Sequence, residues 1–137
     1  SSFKQEVLGG VHDLDTDTIK IALIKDSPTG TYGAATTNYS DVTGNSDEAS
    51  GTGYSAGGQT LDSPVISLSG TTAIVDFADE VFSTLTLSAD GAIMYNSSQS
   101  NKAIAVFNFG STISATNGDF TVVFPTADAS NAVLRIA

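Results

Sequence analysis

The stretch that comes nearest to a catalytic motif is residues 53–57, GYSAG, which match the G-x-S-x-G pattern around the nucleophile of α/β hydrolases. That pattern works only where a buried strand turns sharply into a helix. Here the preceding residues SDEASGT are polar, and the following GGQTLDSP cannot open a helix. The one histidine, His12, lies upstream of Ser55, whereas the hydrolase order is serine, acid, histidine. The sequence therefore favours a flexible Gly/Ser loop over a nucleophile site.

Two other patterns resemble binding motifs. Residues 51–56 match the dinucleotide pattern G-x-G-x-x-A, but no strand precedes them and no helix follows. Asp13, Asp15 and Asp17 resemble the start of a calcium loop, which needs glycine at its sixth position and glutamate at its twelfth. The chain has Thr18 and Ile24 there. We expect the aspartates to form a turn ahead of a strand, with adventitious binding of a divalent ion as the alternative.

The remaining candidates for catalysis or metal binding are isolated titratable residues. His12 has no second histidine and no cysteine with which to bind a metal or activate a nucleophile, so it is predicted to be structural. Asp79 and Glu80 are adjacent, and neighbours on a strand point to opposite faces, so the pair is predicted to be a solvated turn rather than a glycosidase dyad. We expect no catalytic residue, no metal site and no cofactor.

Composition limits the classes of partner. The 137 residues fit one domain, 1–137, and 40% of them are hydrophobic, enough for a core. The net charge is −10, and residues 26–101 contain no lysine or arginine, which argues against nucleic acid and anionic lipid as partners. No apolar run approaches the roughly 20 residues that cross a bilayer, so no membrane association is expected. The charge predicts self-repulsion between copies, with docking onto a basic protein surface as the alternative.

The N-terminal segment, residues 1–12, predicts a short helix. Ser2 and Gln5 match a capping box, and the glycines at 9 and 10 end the helix. A helix this short is marginal alone, so it needs its own sheet or a neighbouring molecule to pack against. Its apolar face consists of Phe3, Val7 and Leu8.

The rest of the chain alternates in the manner of strands. Residues 18–25 predict the first strand, and residues 26–58 form a long polar loop region with few large apolar side chains, which therefore contributes little to a core. Asp90-Gly91 and Asn117-Gly118 predict hairpin turns. The fold class is therefore all-β, an antiparallel β-sandwich of about eight short strands with one short N-terminal α-helix. The later strands are predicted at 65–69, 72–77, 83–88, 92–96, 103–109, 120–124 and 133–137.

Three blocks of sequence together resemble a known family. They are residues 3–23, residues 51–61 (GTGYSAGGQTL) and residues 117–137 (NGDFTVVFPTADASNAVLRIA). The chain resembles small virion structural proteins of tailed bacteriophages, some of which act as capsid decoration, or cement, proteins. The resemblance implies a location in the virion, the major capsid protein or other virion proteins as partners, and no catalytic residues.

The sequence thus predicts a non-enzymatic decoration protein that binds and stabilises the capsid shell. The alternatives are a tail, neck or head-fibre component and a carbohydrate-binding β-sandwich module, and assembly as a homo-oligomer stays open. The helix face would contact a neighbour, and the tyrosines of the polar loop would supply exposed aromatic rings. The candidate interface residues are Phe3, Val7, Leu8, Tyr32, Tyr39 and Tyr54.

Overall fold

Two antiparallel sheets follow from the alternating apolar residues. A computed structural model describes residues 2–137, with 46% of the chain in strands and 11% in helices, which confirms the predicted all-β sandwich class. The elements are α1 Ser2–Leu8, β1 Ile19–Lys25, α2 Ser40–Gly44, β2 Gln59–Thr60, β3 Val65–Ser69, β4 Thr72–Asp76, β5 Glu80–Asn96, β6 Lys102–Val122 and β7 Leu134–Ile136. A four-stranded sheet has the order β2-β1-β5-β6, and a three-stranded sheet has the order β3-β4-β7.

Two strands are much longer than predicted, because two of the expected hairpin turns do not form. Strand β5 has 17 residues and runs through Asp90-Gly91, and β6 has 21 residues and runs through Asn117-Gly118. The hairpin turn that joins them lies instead at residues 97–101. The β5–β6 register shifts between Ala89 and Gly91, and Asn117 has φ 47°. Both dipeptides therefore lie at irregularities of the ladder, which require the same unusual backbone angles as a tight turn.

The main core lies between the two sheets. Ile21 and Leu23 of β1 and Phe82 of β5 are fully or almost fully buried. Val75 of β4 and Leu134 of β7 pack against this cluster from the smaller sheet. Alternate residues of a strand point to the same face, which brings these side chains together between the sheets.

A second core covers the other face of the four-stranded sheet. Ala22 and Ile24 of β1 point away from the main core and are buried with Val42 of α2. Tyr32 and Tyr39 also pack there. Residues 26–58 therefore form a third layer over the sheet, and the prediction that this region adds little to a core is wrong.

The N-terminal helix forms where predicted, but its capping box does not. Gly10, two residues beyond the end of α1, has φ 71°, the left-handed conformation expected where glycine ends a helix. The hydroxyl of Ser2 is buried and has no hydrogen-bond partner among residues 2–137. Within residues 2–137, no helix is long and apolar enough to cross a membrane.

Candidate functional site

The largest group of exposed apolar side chains lies on the three-stranded sheet. On edge strand β3, Val65 is 53%, Ile66 52% and Leu68 74% exposed. Ile136 of β7 is 62% exposed. Exposed aliphatic residues scattered singly are ordinary, but Ile66, Leu68 and Ile136 share one face of a small sheet, and such a patch is of the kind that marks a protein contact.

The strand register shows how these residues share a face. Side chains directly opposite each other in a ladder point to the same side of the sheet. One row across the sheet is Ile66, Val75 and Leu134, and the next is Leu68, Ala73 and Ile136. We call these six residues the apolar sheet face. Val75 and Leu134 pack on the main core, Ala73 is half-buried, and Ile66, Leu68 and Ile136 are exposed.

The opposite face of this sheet is covered by the chain itself. Thr72 and Ile74 of β4 are buried. The backbone N–H of Ala129 donates to the hydroxyl of Ser69 at 3.2 Å, and Arg135 of β7 donates to the carbonyls of Ala129 and Ser130. The segment before β7 thus folds over one side of the sheet. The apolar sheet face is the other side: Val75 and Leu134 meet the main core there, and Ile66, Leu68 and Ile136 remain exposed.

The three predicted helix residues are placed differently from one another. Phe3 packs against the main core, with its ring centroid 5.1 Å from that of His12. Val7 is half-buried, whereas Leu8 is 88% exposed. Phe3 therefore serves the fold of this chain, and Leu8 remains available to a neighbour.

A polar cluster ties α1 to the sheet. Lys102 Nζ lies 2.8 Å from Glu6 Oε1, and His12 Nε2 lies 3.0 Å from Glu6 Oε2. The hydrogen bond from Lys102 lowers the pKa of the Glu6 carboxyl and, with that from His12, outweighs the opposing effect of burial. The amide of Asn96 donates to His12 Nδ1 at 3.0 Å and to Asp17 at 2.7 Å. Both ring nitrogens of His12 therefore have partners within the fold, the arrangement predicted for a structural histidine.

The aspartate triplet forms a turn, as predicted. The carboxylate of Asp13 accepts hydrogen bonds from the backbone N–H groups of Asp15 and Thr16. Asp17 in turn accepts from the backbone N–H of Asp13. Among residues 2–137 no group of three or more histidines, cysteines or acidic residues is placed to hold a metal ion.

The Asp79-Glu80 pair is only partly the solvated turn that was predicted. Asp79 is exposed and accepts from the backbone N–H of Phe124 at 2.8 Å. Glu80 is buried at the start of β5, and burial, with a smaller effect from the charge of Asp62, raises the pKa of its carboxyl. The prediction is wrong for Glu80, because the strand extends three residues further toward the N-terminus than expected.

The three predicted interface tyrosines come together around two adjacent acids that the sequence analysis did not single out. Tyr32 donates to Asp47 at 2.5 Å, and Tyr39 and Tyr54 donate to Glu48 at 2.5 and 2.9 Å. A buried tyrosine hydroxyl needs a partner, so three tyrosines in a polar loop were a signal that acceptors lie nearby. All three rings are half-buried.

Asp47 anchors the first half of this loop region. It is fully buried and accepts from the backbone N–H groups of Thr29 at 3.0 Å and Gly30 at 2.7 Å. Lys25 Nζ lies 2.9 Å from Oδ1, the oxygen that also accepts from the Thr29 N–H. Burial alone would raise the pKa of the Asp47 carboxyl, but the hydrogen bonds from Thr29, Tyr32, Gly30 and Lys25 outweigh it and hold the pKa well below the usual range.

Glu48 anchors the second half. Besides the hydrogen bonds from Tyr39 and Tyr54, the Glu48 carboxylate accepts one from the backbone N–H of Gly57 at 2.6 Å. Tyr95 of β5 donates to the carbonyl of Gly57 at 2.7 Å and stacks on Tyr39 with centroids 4.5 Å apart. Burial is the main cause that raises the pKa of the Tyr95 hydroxyl to about 12. The tyrosine cluster is thus an internal framework that holds residues 26–58 on the sheet.

Comparison with known proteins gave no further guidance, since no protein family, no curated protein and no solved structure matches the chain.

Proposed function

We propose that the chain is a non-enzymatic structural protein of a bacteriophage virion, and within that class a capsid decoration protein. Its partner would be the major capsid protein, and its location the virion. The observation that carries the proposal is the apolar sheet face, exposed at Ile66, Leu68 and Ile136 on an acidic chain. The resemblance of the sequence to small phage virion proteins supplies the class of partner.

The size of the apolar sheet face suits attachment to a multimeric shell. Its three exposed side chains are 52–74% accessible, so burying the remainder would contribute about 1–2 kcal/mol each. Association of two separate molecules costs an estimated 4–15 kcal/mol in lost freedom of motion, so the apolar sheet face alone gives weak binding to a single subunit. A site shared between neighbouring capsid subunits would add contacts, and a protein that binds only the assembled shell stabilises it by mass action.

The charge supports a protein partner with basic groups. A net charge of −10 repels further copies of the chain, nucleic acid and anionic lipid alike. The sugar-binding alternative gains no support from the tyrosines that suggested it, because their hydroxyls bind Asp47 and Glu48 and Tyr39 stacks on Tyr95.

The copy number in purified virions tests the proposal. A decoration protein should approach the number of major capsid subunits in quantitative protein staining. A copy number far below that would favour the tail, neck or head-fibre alternative. Absence from the particle would contradict a virion role altogether, and binding on a glycan array would then point to the carbohydrate-binding module.

A further inference from the structure

We propose that the outer edge of β3 accepts an extended strand from the partner, which joins the three-stranded sheet as a fourth strand. The proposed occupant is a segment of a virion protein in which aliphatic residues alternate with lysine or arginine. The identity of the partner rests on the proposed function, whereas the ability of the edge to bind such a strand does not.

Strand β3 is an edge without the usual protection. Proteins blunt exposed edges with charged side chains, proline, bulges or very short strands. The five residues Val65–Ser69 carry no charge and no proline, and they pair with β4 in continuous register. Pro64 stands just before the strand.

The other edge strands of the two sheets are too short or too irregular to pair readily with a new strand. Strands β2 and β7 have two and three residues, too few to offer a long template. Strand β6 is long, but its ladder with β5 has four register shifts, and Gly110 and Asn117 interrupt it with positive φ. Among residues 2–137, β3 is therefore the edge best suited to pairing with a new strand.

The hairpin turn fixes which backbone groups of β3 point outward. Ser69 and Thr72 flank a two-residue turn in which Gly70 has φ 63°, as the first central position of a type II′ turn requires. Such a turn is closed by hydrogen bonding between its flanking residues, so Ser69 and Thr72 form a hydrogen-bonded pair. Hydrogen-bonded and non-hydrogen-bonded pairs alternate along an antiparallel ladder. The N–H and C=O groups of Leu68 and Ile66 therefore point away from β4.

The same two residues carry the exposed side chains of the apolar sheet face. A strand that pairs with their backbone groups would place its own alternate side chains beside Ile66 and Leu68, in line with the two apolar rows. Backbone hydrogen bonds would then supply part of the affinity and the aliphatic side chains the specificity, as in other cases of strand addition.

Charge selects a basic strand over a second copy of this chain. Strands β3 and β4 lie within residues 26–101, which contain no lysine or arginine, and Asp62 and Asp76 lie near the two ends of β3 and β4 that are far from the turn. The only basic residue of the sheet, Arg135, donates to the carbonyls of Ala129 and Ser130 on the covered face. Two copies, each with a charge of −10, would repel each other across this edge.

The test uses the whole chain and a synthetic probe, the peptide acetyl-KVKVKVK-amide, followed by amide NMR titration. We expect shift changes concentrated on the amides of Ile66 and Leu68, together with slowed hydrogen exchange there. The double variant Ile66→Ser/Leu68→Ser should bind at least about tenfold more weakly, the change expected when a buried aliphatic contact is removed. The matched control Val65→Ser, on the other face of the same strand, should bind like the wild type.

A second peptide separates strand pairing from charge attraction. Methylation of the backbone nitrogens of its valines removes donors while keeping charge and side chains, so binding should be abolished. Equal binding of the two peptides, shift changes elsewhere, or no binding would overturn the proposal. A concentration-dependent dimer that Ile66→Ser/Leu68→Ser abolishes would also overturn it, by assigning the edge to a second copy.

The outcomes distinguish this inference from the proposed function. A chain that is abundant on virions but whose β3 edge binds no peptide would overturn the strand-addition inference alone. A chain that is absent from virions but binds the peptide at β3 would overturn the proposed function alone.

Discussion

The substitution Asp47→Asn should release the first half of the 26–58 layer from the sheet. Asp47 accepts hydrogen bonds at both carboxylate oxygens, from Thr29 on one side and from Gly30 and Tyr32 on the other. Asparagine keeps the shape but presents an NH₂ group in place of one oxygen. On the side of Gly30, that group would face a backbone N–H that can only donate.

The magnitude follows from the hydrogen bonds that the asparagine cannot make. Hydrogen bonds to charged groups contribute about 1.5–3 kcal/mol each, and the substitution weakens or removes at least two of them. The hydroxyl of Tyr32 can rotate to accept from the new amide, which restores part of this stabilisation. We expect Asp47→Asn to lower the free energy of unfolding by about 3 kcal/mol and the Tm by roughly 10 °C for a domain of this size.

Two measurements check this prediction: urea unfolding at neutral pH and limited proteolysis within residues 26–58. The control is Asp26→Asn, which removes the same charge from an exposed position at the start of the same region. Unfolding free energies that are equal in the two variants would refute the assigned role of Asp47. Equal proteolysis rates would show that the layer does not depend on this carboxylate.

The pH dependence gives an independent check on the same reasoning. The pKa of Asp47 lies below its usual value in the folded state, so the folded protein binds fewer protons than the unfolded chain at low pH. The contribution of the carboxylate is fully present above the unfolded pKa of about 3.9 and is lost as pH falls below it toward the folded pKa. The stability difference between wild type and Asp47→Asn should therefore shrink below about pH 4.

Three further predictions use matched substitutions. Phe3→Ala should destabilise the protein by about 2 kcal/mol in urea unfolding, since Phe3 packs on the core, whereas Leu8→Ala, at an exposed site, should change little. Gly58→Ala should lower the Tm far more than Gly10→Ala. Both glycines have positive φ, which costs alanine about 1–2 kcal/mol. A Cβ at Gly58 would in addition overlap the backbone of β1, whereas a Cβ at Gly10 would meet no atom within 4 Å. Ser55→Ala should leave turnover of simple esters at the background rate of the wild type, and an esterase activity that disappears in this variant would contradict the non-enzymatic proposal.

Local sequence patterns correctly predicted the elements whose positions along the chain do not depend on contacts with distant residues. The α1 helix with its glycine end, the alternating strand β1, the β3–β4 hairpin at Gly70 and the C-terminal strand β7 all lie where the periodicity placed them. In each case the side-chain period and the turn residue specify one structure.

Asp90-Gly91 and Asn117-Gly118 show where local patterns fail. Such dipeptides indicate that the backbone needs unusual angles, but a hairpin turn and a bulge within a strand both meet that need. Tertiary contacts decide between them. The carboxylate of Asp90 accepts from Ser27 N–H at 2.9 Å and from Thr112, and a Cβ at Gly91 would meet the backbone of Phe107 across the ladder.

The sequence by itself determined the fold class and the acidic character of the chain. Only the tertiary structure decided that Asp47 and Glu48 organise the polar loop region and that Ile66 and Leu68 lie on an open edge. Composition alone made residues 26–58 resemble a loose excursion, because part-buried hydrogen bonds between residues 9 to 18 positions apart leave no periodic signal. Exposure of an aliphatic strand likewise depends on what the rest of the chain covers, and that is known only once the two sheets are packed together.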